Sequence, residues 1–345
     1  MVNVAINGFG RIGRAVVRLA HDHPDFDIVA INDLGDIENL AYLLEHDSVY
    51  GRSAFSVATK KDKIIIDDKE VRFLQERDPA DLPWKDMDVD LVIEATGLFN
   101  DYADAKKHLE SGAKRVVLSA PAKGSATDAG VSGVTVLMGV NQSDLRDSQI
   151  SSNASCTTNA TSPVIGILKE AVGIESAVLN TVHAYTASQS LVDETNKKDH
   201  RSGRAAALNI IPSTTGAAVA TTEVHTDLAG KFAGIAMRVP VAVGSVVDVT
   251  FIAERETTVE EVNEALIAAA ESDAWSNIFT ATDEPIVSSD IIGARFASIA
   301  DLSFTQVVGG RLVKVLAWYD NETSYTHTLI EHVAEVARLL DNAEE

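Results

Sequence analysis

The segment "VNVAINGFGRIGRAVV" at the start of the chain constrains the fold more than any other. A short apolar run leads into Gly8, Gly10 and Gly13 in G-x-G-x-x-G spacing, and apolar residues at helical intervals follow. This predicts a strand, a tight turn and a helix. The first glycine permits the turn, the second lets backbone approach a pyrophosphate, and the third lets helix pack on strand. The first N–H groups of the helix have no partners within it and face the phosphates. Asp33 lies 33 − 13 = 20 residues past the last glycine, at the end of a second apolar run, "FDIVAIND". A carboxylate there bonds the ribose 2′-hydroxyl of NAD and repels a 2′-phosphate. A glycine-rich turn in an unrelated α/β protein has no need of that acid, so the pattern predicts dinucleotide binding.

The pattern continues with "DIENLAYLLEHD", "VDLVIEAT", "DYADAKKHLESG" and "KRVVLSAP", read as helix, strand, helix and strand. Regular alternation predicts a parallel sheet with helices on its faces. The second half differs. "SAVLNTVHAYT", "GKFAGIAMRVP", "SVVDVTFIAER" and "RLVKVLAWYD" are longer strand-like runs, which predict a mixed or antiparallel sheet. "TVEEVNEALIAAAESD" and the closing "HTLIEHVAEVARLLD" read as amphipathic helices. The expected fold class is α/β: a Rossmann-type dinucleotide-binding domain over residues 1–155, and an α+β catalytic domain over 156–321.

"SNASCTTNATS" holds Cys156, the only cysteine. A lone free cysteine usually packs as a small hydrophobe. Here Ser152, Ser155, Thr157, Thr158, Thr161 and Ser162 surround it, and the bulky aliphatics begin only at Val164. Cys156 is therefore expected to open a helix, where the terminus favours a thiolate. Its partner is sought among nine histidines. His21, His23, His46, His108, His200 and His225 lie in polar stretches and are expected to be exposed. None pairs with histidine or cysteine at metal-ligand spacing, so no metal is expected. His183 ends an apolar strand and becomes the candidate base.

Net charge is −22. Phosphate binding over a surface needs a basic footprint, so nucleic acid and anionic membranes are excluded as partners. The acid is spread along the chain, which is expected of an ordinary acidic surface or of a halophilic cytosol. No apolar run reaches membrane-spanning length, no signal-like segment precedes the first strand, and one cysteine makes no internal disulfide. A cytoplasmic location is expected.

"INGFGRIGR", "ASCTTN", "HAYT", "RAAALNIIPSTTGAA", "RVPV" and "WYDNE" occur in one order along the whole chain. In these motifs the chain resembles the phosphorylating glyceraldehyde-3-phosphate dehydrogenases of bacteria and eukaryotes. The resemblance implies NAD-dependent oxidation of glyceraldehyde 3-phosphate with inorganic phosphate, in glycolysis or gluconeogenesis. Cys156 would form the hemithioacetal and thioester, with His183 as base. Thr186 and Arg238 would hold the substrate phosphate, and Ser155, Thr157, Thr215 and Gly216 the attacking phosphate. Gly8, Gly10, Arg11, Ile12, Gly13, Asp33, Arg77, Thr96 and Ser119 would contact the cofactor. Asn321 would orient the nicotinamide carboxamide, with Tyr325 nearby. A homotetramer is implied, with the 186–204 loop against a neighbour's cofactor. The closing helix, about residues 322–345, would complete the NAD-binding domain.

Three departures from the family pattern stand out. Ser202 replaces a usual arginine, with Arg201 or Arg204 as candidate substitutes. Glu194 and Thr195 replace the Leu-Pro pair of NAD-specific members, with Lys197 and Lys198 close by, so NADP is not excluded. Thr323 and Ser324 stand where Trp and Gly are usual. The alternatives are an erythrose-4-phosphate dehydrogenase, a non-catalytic dinucleotide-binding regulator and a cysteine hydrolase. The regulator would tolerate loss of Thr186, Thr215 or Arg238, and all three are present. The hydrolase would need no glycine fingerprint.

Overall fold

The computed structural model describes residues 1–197 and 199–342. Lys198, one of the lysines bearing on cofactor choice, lies outside them. The chain divides into two compact units. One comprises Met1–Ala154 with the C-terminal segment from Thr326, and the other comprises Ser155–Tyr325.

The first unit is built on a nine-stranded sheet. Seven neighbouring strands run parallel, in the order Gly133–Thr135, Ile150–Ser152, Arg115–Leu118, Leu91–Glu94, Val2–Asn7, Phe26–Asn32, Lys69–Leu74. Val4, Ala5, Ile6, Leu91, Val92 and Ile93 are wholly buried, as strands covered on both faces must be. From the central strand Val2–Asn7 the chain first builds outward to Phe26–Asn32 and later returns to Leu91–Glu94 on the other flank. Strand order reverses there, and ligands bind α/β sheets beyond the carboxyl ends of strands at such a point.

Two further strands, Lys63–Ile66 and Val57–Thr59, extend the sheet antiparallel. With Lys69–Leu74 they occupy a stretch that its charge makes look like solvated loop. Val71 and Phe73 are buried while Glu70 and Arg72 face water, so charge masks a half-buried strand. In the same unit, His332 of the last helix, Thr323–Asp341, bonds Ser151 Oγ (2.8 Å) and Asn153 Oδ1 (3.2 Å).

The second unit carries a mixed seven-stranded sheet, in the order Ile211–Thr214, Phe232–Val239, Ser176–Ala184, Ser245–Ile252, Leu312–Tyr319, Ser298–Val308, Phe279–Thr282. The eleven-residue strand Ser298–Val308 and the helix Ala217–Val224 carry no clear sequence signal. A register irregularity interrupts the strand's alternation after Asp301, a buried acid that accepts from Trp318 Nε1 at 3.0 Å. Helix Cys156–Val172 shares a core with this sheet: Val164, Ile165 and Leu168 are fully buried with Val247, Val249, Val313 and Ala317.

The first half of that helix is rich in Thr, Ser and Asn, each about 0.5 kcal/mol poorer than Ala in helix propensity. Burial of each large aliphatic contributes about 1.5–3 kcal/mol, so packing outweighs propensity. Thr157, Thr158, Thr161 and Ser162 are themselves buried and hydrogen-bonded. Ser162 Oγ meets His225 Nε2 at 3.0 Å. His225 is therefore buried rather than exposed, and so is His108, which faces Glu94 and Trp84. Both correct the expectation from sequence. The polar residues beside each in sequence do not mark it as exposed, because its buried partners come from elsewhere in the chain: Ser162 for His225, and Glu94 and Trp84 for His108.

Candidate active site

Cys156 is the first residue of its helix, and Ser155 caps it by accepting Thr158 N–H on Oγ at 3.1 Å. His183 lies near the end of strand Ser176–Ala184, paired in parallel register with Arg238 on Phe232–Val239. The strands and the helix start bring three groups together. Cys156 Sγ is 3.4 Å from His183 Nε2, and Arg238 Nη1 is 2.6 Å from His183 Nδ1. Nδ1 also lies 2.6 Å from the Ala184 carbonyl, which the guanidinium reaches at 3.2 Å. One nitrogen cannot accept from arginine and donate to a carbonyl at once. For a base, Nδ1–H donates to Ala184 and the Nε2 lone pair faces sulfur; the guanidinium then bonds the same carbonyl.

Burial, and then the charge of Arg238, push the His183 pKa down to about 3, so the isolated ring is neutral. Burial raises the Cys156 thiol above its ordinary value, against the expectation of a terminus-stabilised thiolate; Arg238 and the Thr157 hydroxyl and N–H pull it back. The two groups are coupled. Passing the thiol proton to Nε2 creates thiolate and imidazolium in contact, where each offsets the other's burial and the helix start adds to the anion.

Tyr319 is a site residue that sequence reasoning did not single out, although it stands within the quoted "WYDNE". Its buried hydroxyl meets Thr157 Oγ1 at 3.0 Å and Thr181 Oγ1 at 2.8 Å, and its ring lies edge-on to His183. Thr157, assigned to phosphate, thus has its hydroxyl against Tyr319. Thr186 meets Ser188 Oγ at 2.9 Å. Thr215 accepts Ala217 N–H at 3.1 Å, and Gly216 caps the next helix with open space where a Cβ would stand. Asn321 Oδ1 accepts from Ser245 Oγ (2.9 Å) and Gly244 N (3.2 Å), which leaves its NH₂ as the donating end. Tyr325 is buried. Arg204 is tied to Asp193 at 3.1 Å, and Ser202 donates to Asp199, while Arg201 is exposed.

In the first unit, Gly8, Gly10, Asp33, Arg77 and Thr96 line one groove of about 420 Å³ beyond the strand ends, with Asn7 and Asn32 at its base. Gly8 has φ +98°, and a Cβ there would lie 2.6 Å from Thr96 N. A Cβ on Gly13 would lie 2.2 Å from Gly8 O, so the helix packs directly on the turn. Gly10 instead faces open space, where a pyrophosphate fits. Asp33 accepts Phe9 N–H (2.7 Å) and Gly35 N–H (2.8 Å), which aims the carboxylate while leaving lone pairs for ribose hydroxyls. These features fit a dinucleotide. Arg11, Ile12, Gly13 and Ser119 are not in the groove lining, and Arg11 pairs with Asp47 at 2.5 Å. Among the described residues no His, Cys, Asp and Glu cluster could hold a metal ion, and no helix is long and apolar enough to cross a membrane.

Residues 2–102 match the family model described as glyceraldehyde 3-phosphate dehydrogenase, NAD binding domain, and residues 155–321 match its C-terminal domain. The chain is 47% identical over 338 residues to glyceraldehyde-3-phosphate dehydrogenase of Geobacillus stearothermophilus, covering 97% of this chain and 98% of that protein. It is 48% identical over 334 residues to the Thermotoga maritima enzyme of the same name, covering 96% and 98%. Identity to that of Zymomonas mobilis is 43% over 342 residues, covering 98% and 99%.

Proposed function

This chain belongs to the glyceraldehyde-3-phosphate dehydrogenase family, and from that premise we propose that it oxidises glyceraldehyde 3-phosphate with NAD and inorganic phosphate to 1,3-bisphosphoglycerate. The observation that carries the reading is the contact of Cys156 Sγ with His183 Nε2 at 3.4 Å, beside Arg238.

Cys156 gives its proton to His183 Nε2 and attacks the aldehyde carbon, and the imidazolium passes that proton to the carbonyl oxygen, which leaves a hemithioacetal on sulfur and Nε2 free again. His183 then takes the hydroxyl proton as the carbon is oxidised to a thioester. Bound nicotinamide supplies the hydride acceptor. Phosphate attacks the thioester carbon, the C–S bond breaks, and the acyl phosphate leaves Cys156 free. Arg238 and Thr186 hold the substrate phosphate, the guanidinium through charge-assisted bonds. Ser155, Thr157, Thr215 and Gly216 hold the attacking phosphate; Thr157 then turns its hydroxyl from Tyr319 or uses its backbone N–H. Gly8, Gly10, Asp33, Arg77 and Thr96 hold the dinucleotide, supported by Arg11, Ile12, Gly13 and Ser119, and Asn321 offers its NH₂ to the nicotinamide carboxamide.

The finer reading is a cytoplasmic homotetramer adapted to high salt, working in glycolysis or gluconeogenesis, with a cofactor domain over 1–155 plus about 322–345 and a catalytic domain over 156–321. One assay tests the central claim: reduced-cofactor formation with glyceraldehyde 3-phosphate or erythrose 4-phosphate, with and without phosphate, on NAD and on NADP. Turnover with glyceraldehyde 3-phosphate that requires phosphate and favours NAD is expected. A preference for erythrose 4-phosphate, or turnover without phosphate, overturns it.

A further inference from the structure

Beneath the groove of the first unit runs a buried polar chain that the chemistry above does not use. Asn7, Asn32, Trp84, Glu94 and His108 are each at most 4% exposed. The direction of every hydrogen bond in it is fixed from its two ends.

At one end stands the Glu76 backbone. Its N–H can only donate, and it meets Asn32 Oδ1 at 2.8 Å. The Asn32 NH₂ therefore faces Glu76 O (2.9 Å) and Asn7 (2.7 Å). Asn7 must meet it with Oδ1, which turns the Asn7 NH₂ onto Glu94 Oε2 at 2.6 Å. At the other end stands the Trp84 indole, which can only donate and meets His108 Nδ1 at 3.0 Å. The neutral ring then carries its hydrogen on Nε2 and donates to Glu94 Oε2 at 3.2 Å. Asn7 Nδ2 and His108 Nε2, 3.5 Å apart, are two donors aimed at one oxygen. The other oxygen, Oε1, accepts the Thr96 N–H at 2.8 Å and the Thr96 hydroxyl.

A carboxylate has about four acceptor sites, and four donors fill them here. That full set is what lets a wholly buried acid stand without a cation. It also ties two turns together. Asn7 ends one strand and precedes Gly8, Thr96 follows the neighbouring strand, and the Gly8 backbone is packed against Thr96 N. Asn7, Gly8 and Thr96 all line the groove.

We propose that Glu94 is a positioning residue for the dinucleotide: its carboxylate, with both oxygens held as acceptors by a network oriented from Glu76 and Trp84, locks the Asn7–Gly8 and Thr96 turns into a preformed cradle. This rests on the reading of the groove as the dinucleotide site. Glu94→Gln puts an NH₂ against donors whichever way it turns. Asn7→Asp puts a second carboxylate against the first. The double variant N7D/E94Q moves the acceptor across the contact. The amide NH₂ introduced by E94Q would donate to the carboxylate introduced by N7D, His108 Nε2–H would turn to that carboxylate, and the remaining amide oxygen would keep both Thr96 donors.

The test is NAD titration calorimetry and thermal melting on the full-length wild type, both single variants and the double. Each single change is expected to weaken NAD binding by about tenfold or more, with the double within about threefold of wild type. KM for NAD should rise in Glu94→Gln while KM for the aldehyde stays. Selective ¹⁵N-histidine labelling should show His108 protonated on Nε2 only. Glu94→Gln binding NAD within about twofold of wild type, a double variant no better than the weaker single, or a proton on Nδ1 each overturns the proposal. If a single variant fails to fold, a folded, NAD-binding double still supports it, and a double that also fails overturns it. A wild type that binds no NAD overturns the cofactor reading instead, and the four melting temperatures then decide the network by themselves.

Discussion

Cys156 Sγ and His183 Nε2 lie 3.4 Å apart, on a helix start and a strand end that the sequence separates by 27 residues. The proposed reaction begins with proton transfer between them, so both residues are separately testable. Cys156→Ser should abolish turnover, and iodoacetamide should label one thiol per wild-type chain. His183→Asn should move the midpoint of the alkylation–pH profile up by about one unit or more and lower kcat by about 10²-fold or more. A profile that stays in place in His183→Asn would remove the histidine from that role.

Arg238 sets the charge at His183 and Cys156, and in the proposed reaction it also holds the substrate phosphate. Arg238→Met should raise KM for the phosphorylated aldehyde by about tenfold or more, since a charge-assisted contact is lost. Catalytic efficiency with an aldehyde that carries no phosphate should also fall, through the weaker thiolate, but by about tenfold less than with the phosphorylated one. Alkylation of Cys156 should slow, because the charge that pulls the thiol pKa down is gone. Equal losses with both aldehydes would show that Arg238 serves the chemistry and not the phosphate.

Buried histidines contribute to the acid limb of stability, among them His332, His183 and His225, the last lowered by burial and by the Lys169 charge. Burial pushes His332 down to about 3, and burial with Arg238 does the same to His183. An unfolded chain takes up protons on all three below about pH 6.5 while the folded chain resists, so acid favours unfolding. Stability should fall progressively from about pH 6.5 toward pH 3, by several kcal/mol in sum. His332→Gln can keep a bond to Ser151 or Asn153 and has no proton to take up. It should flatten the pH dependence of urea unfolding between pH 6.5 and 4, even if it is less stable at pH 7. An acid limb as steep as that of wild type would place the linkage elsewhere.

The glycine turn, Asp33 and the start of the Cys156 helix were legible because each depends on local chain geometry that few residues satisfy. Tyr319 was not, because its role depends on Thr157 and Thr181, far away in sequence. Glu94 reads as one more acid in an acidic chain; only the fold shows that it is buried with four donors around it. His108 and His225 misled for the same reason, since polar neighbours in sequence do not reveal whether they face water or each other. The strand Lys69–Leu74 was hidden by charge, although its alternation of Glu70, Val71, Arg72 and Phe73 was there to be read.

The −22 charge makes its own prediction. Many cations are already paired at the surface, among them Arg52 with Glu45, Arg72 with Asp62 and Arg255 with Glu261. Such exposed pairs are worth about 0.2–1 kcal/mol each, and salt weakens them. The unpaired acid excess acts over a longer range. At 0.01 M salt the Debye length is about 30 Å and acids across a whole unit repel one another, whereas at 1 M it is about 3 Å and only contacts survive. Salt therefore removes the long-range repulsion while leaving much of the contact attraction, and the net effect should be stabilising. Melting temperature is expected to rise between 0.1 and 2 M KCl, with activity and any oligomer persisting in molar salt and decaying in dilute buffer. Thermal melts and sedimentation across a KCl series check this. A melting temperature that stays flat or falls over that range would mean that the acid is ordinary surface charge, already compensated at moderate ionic strength.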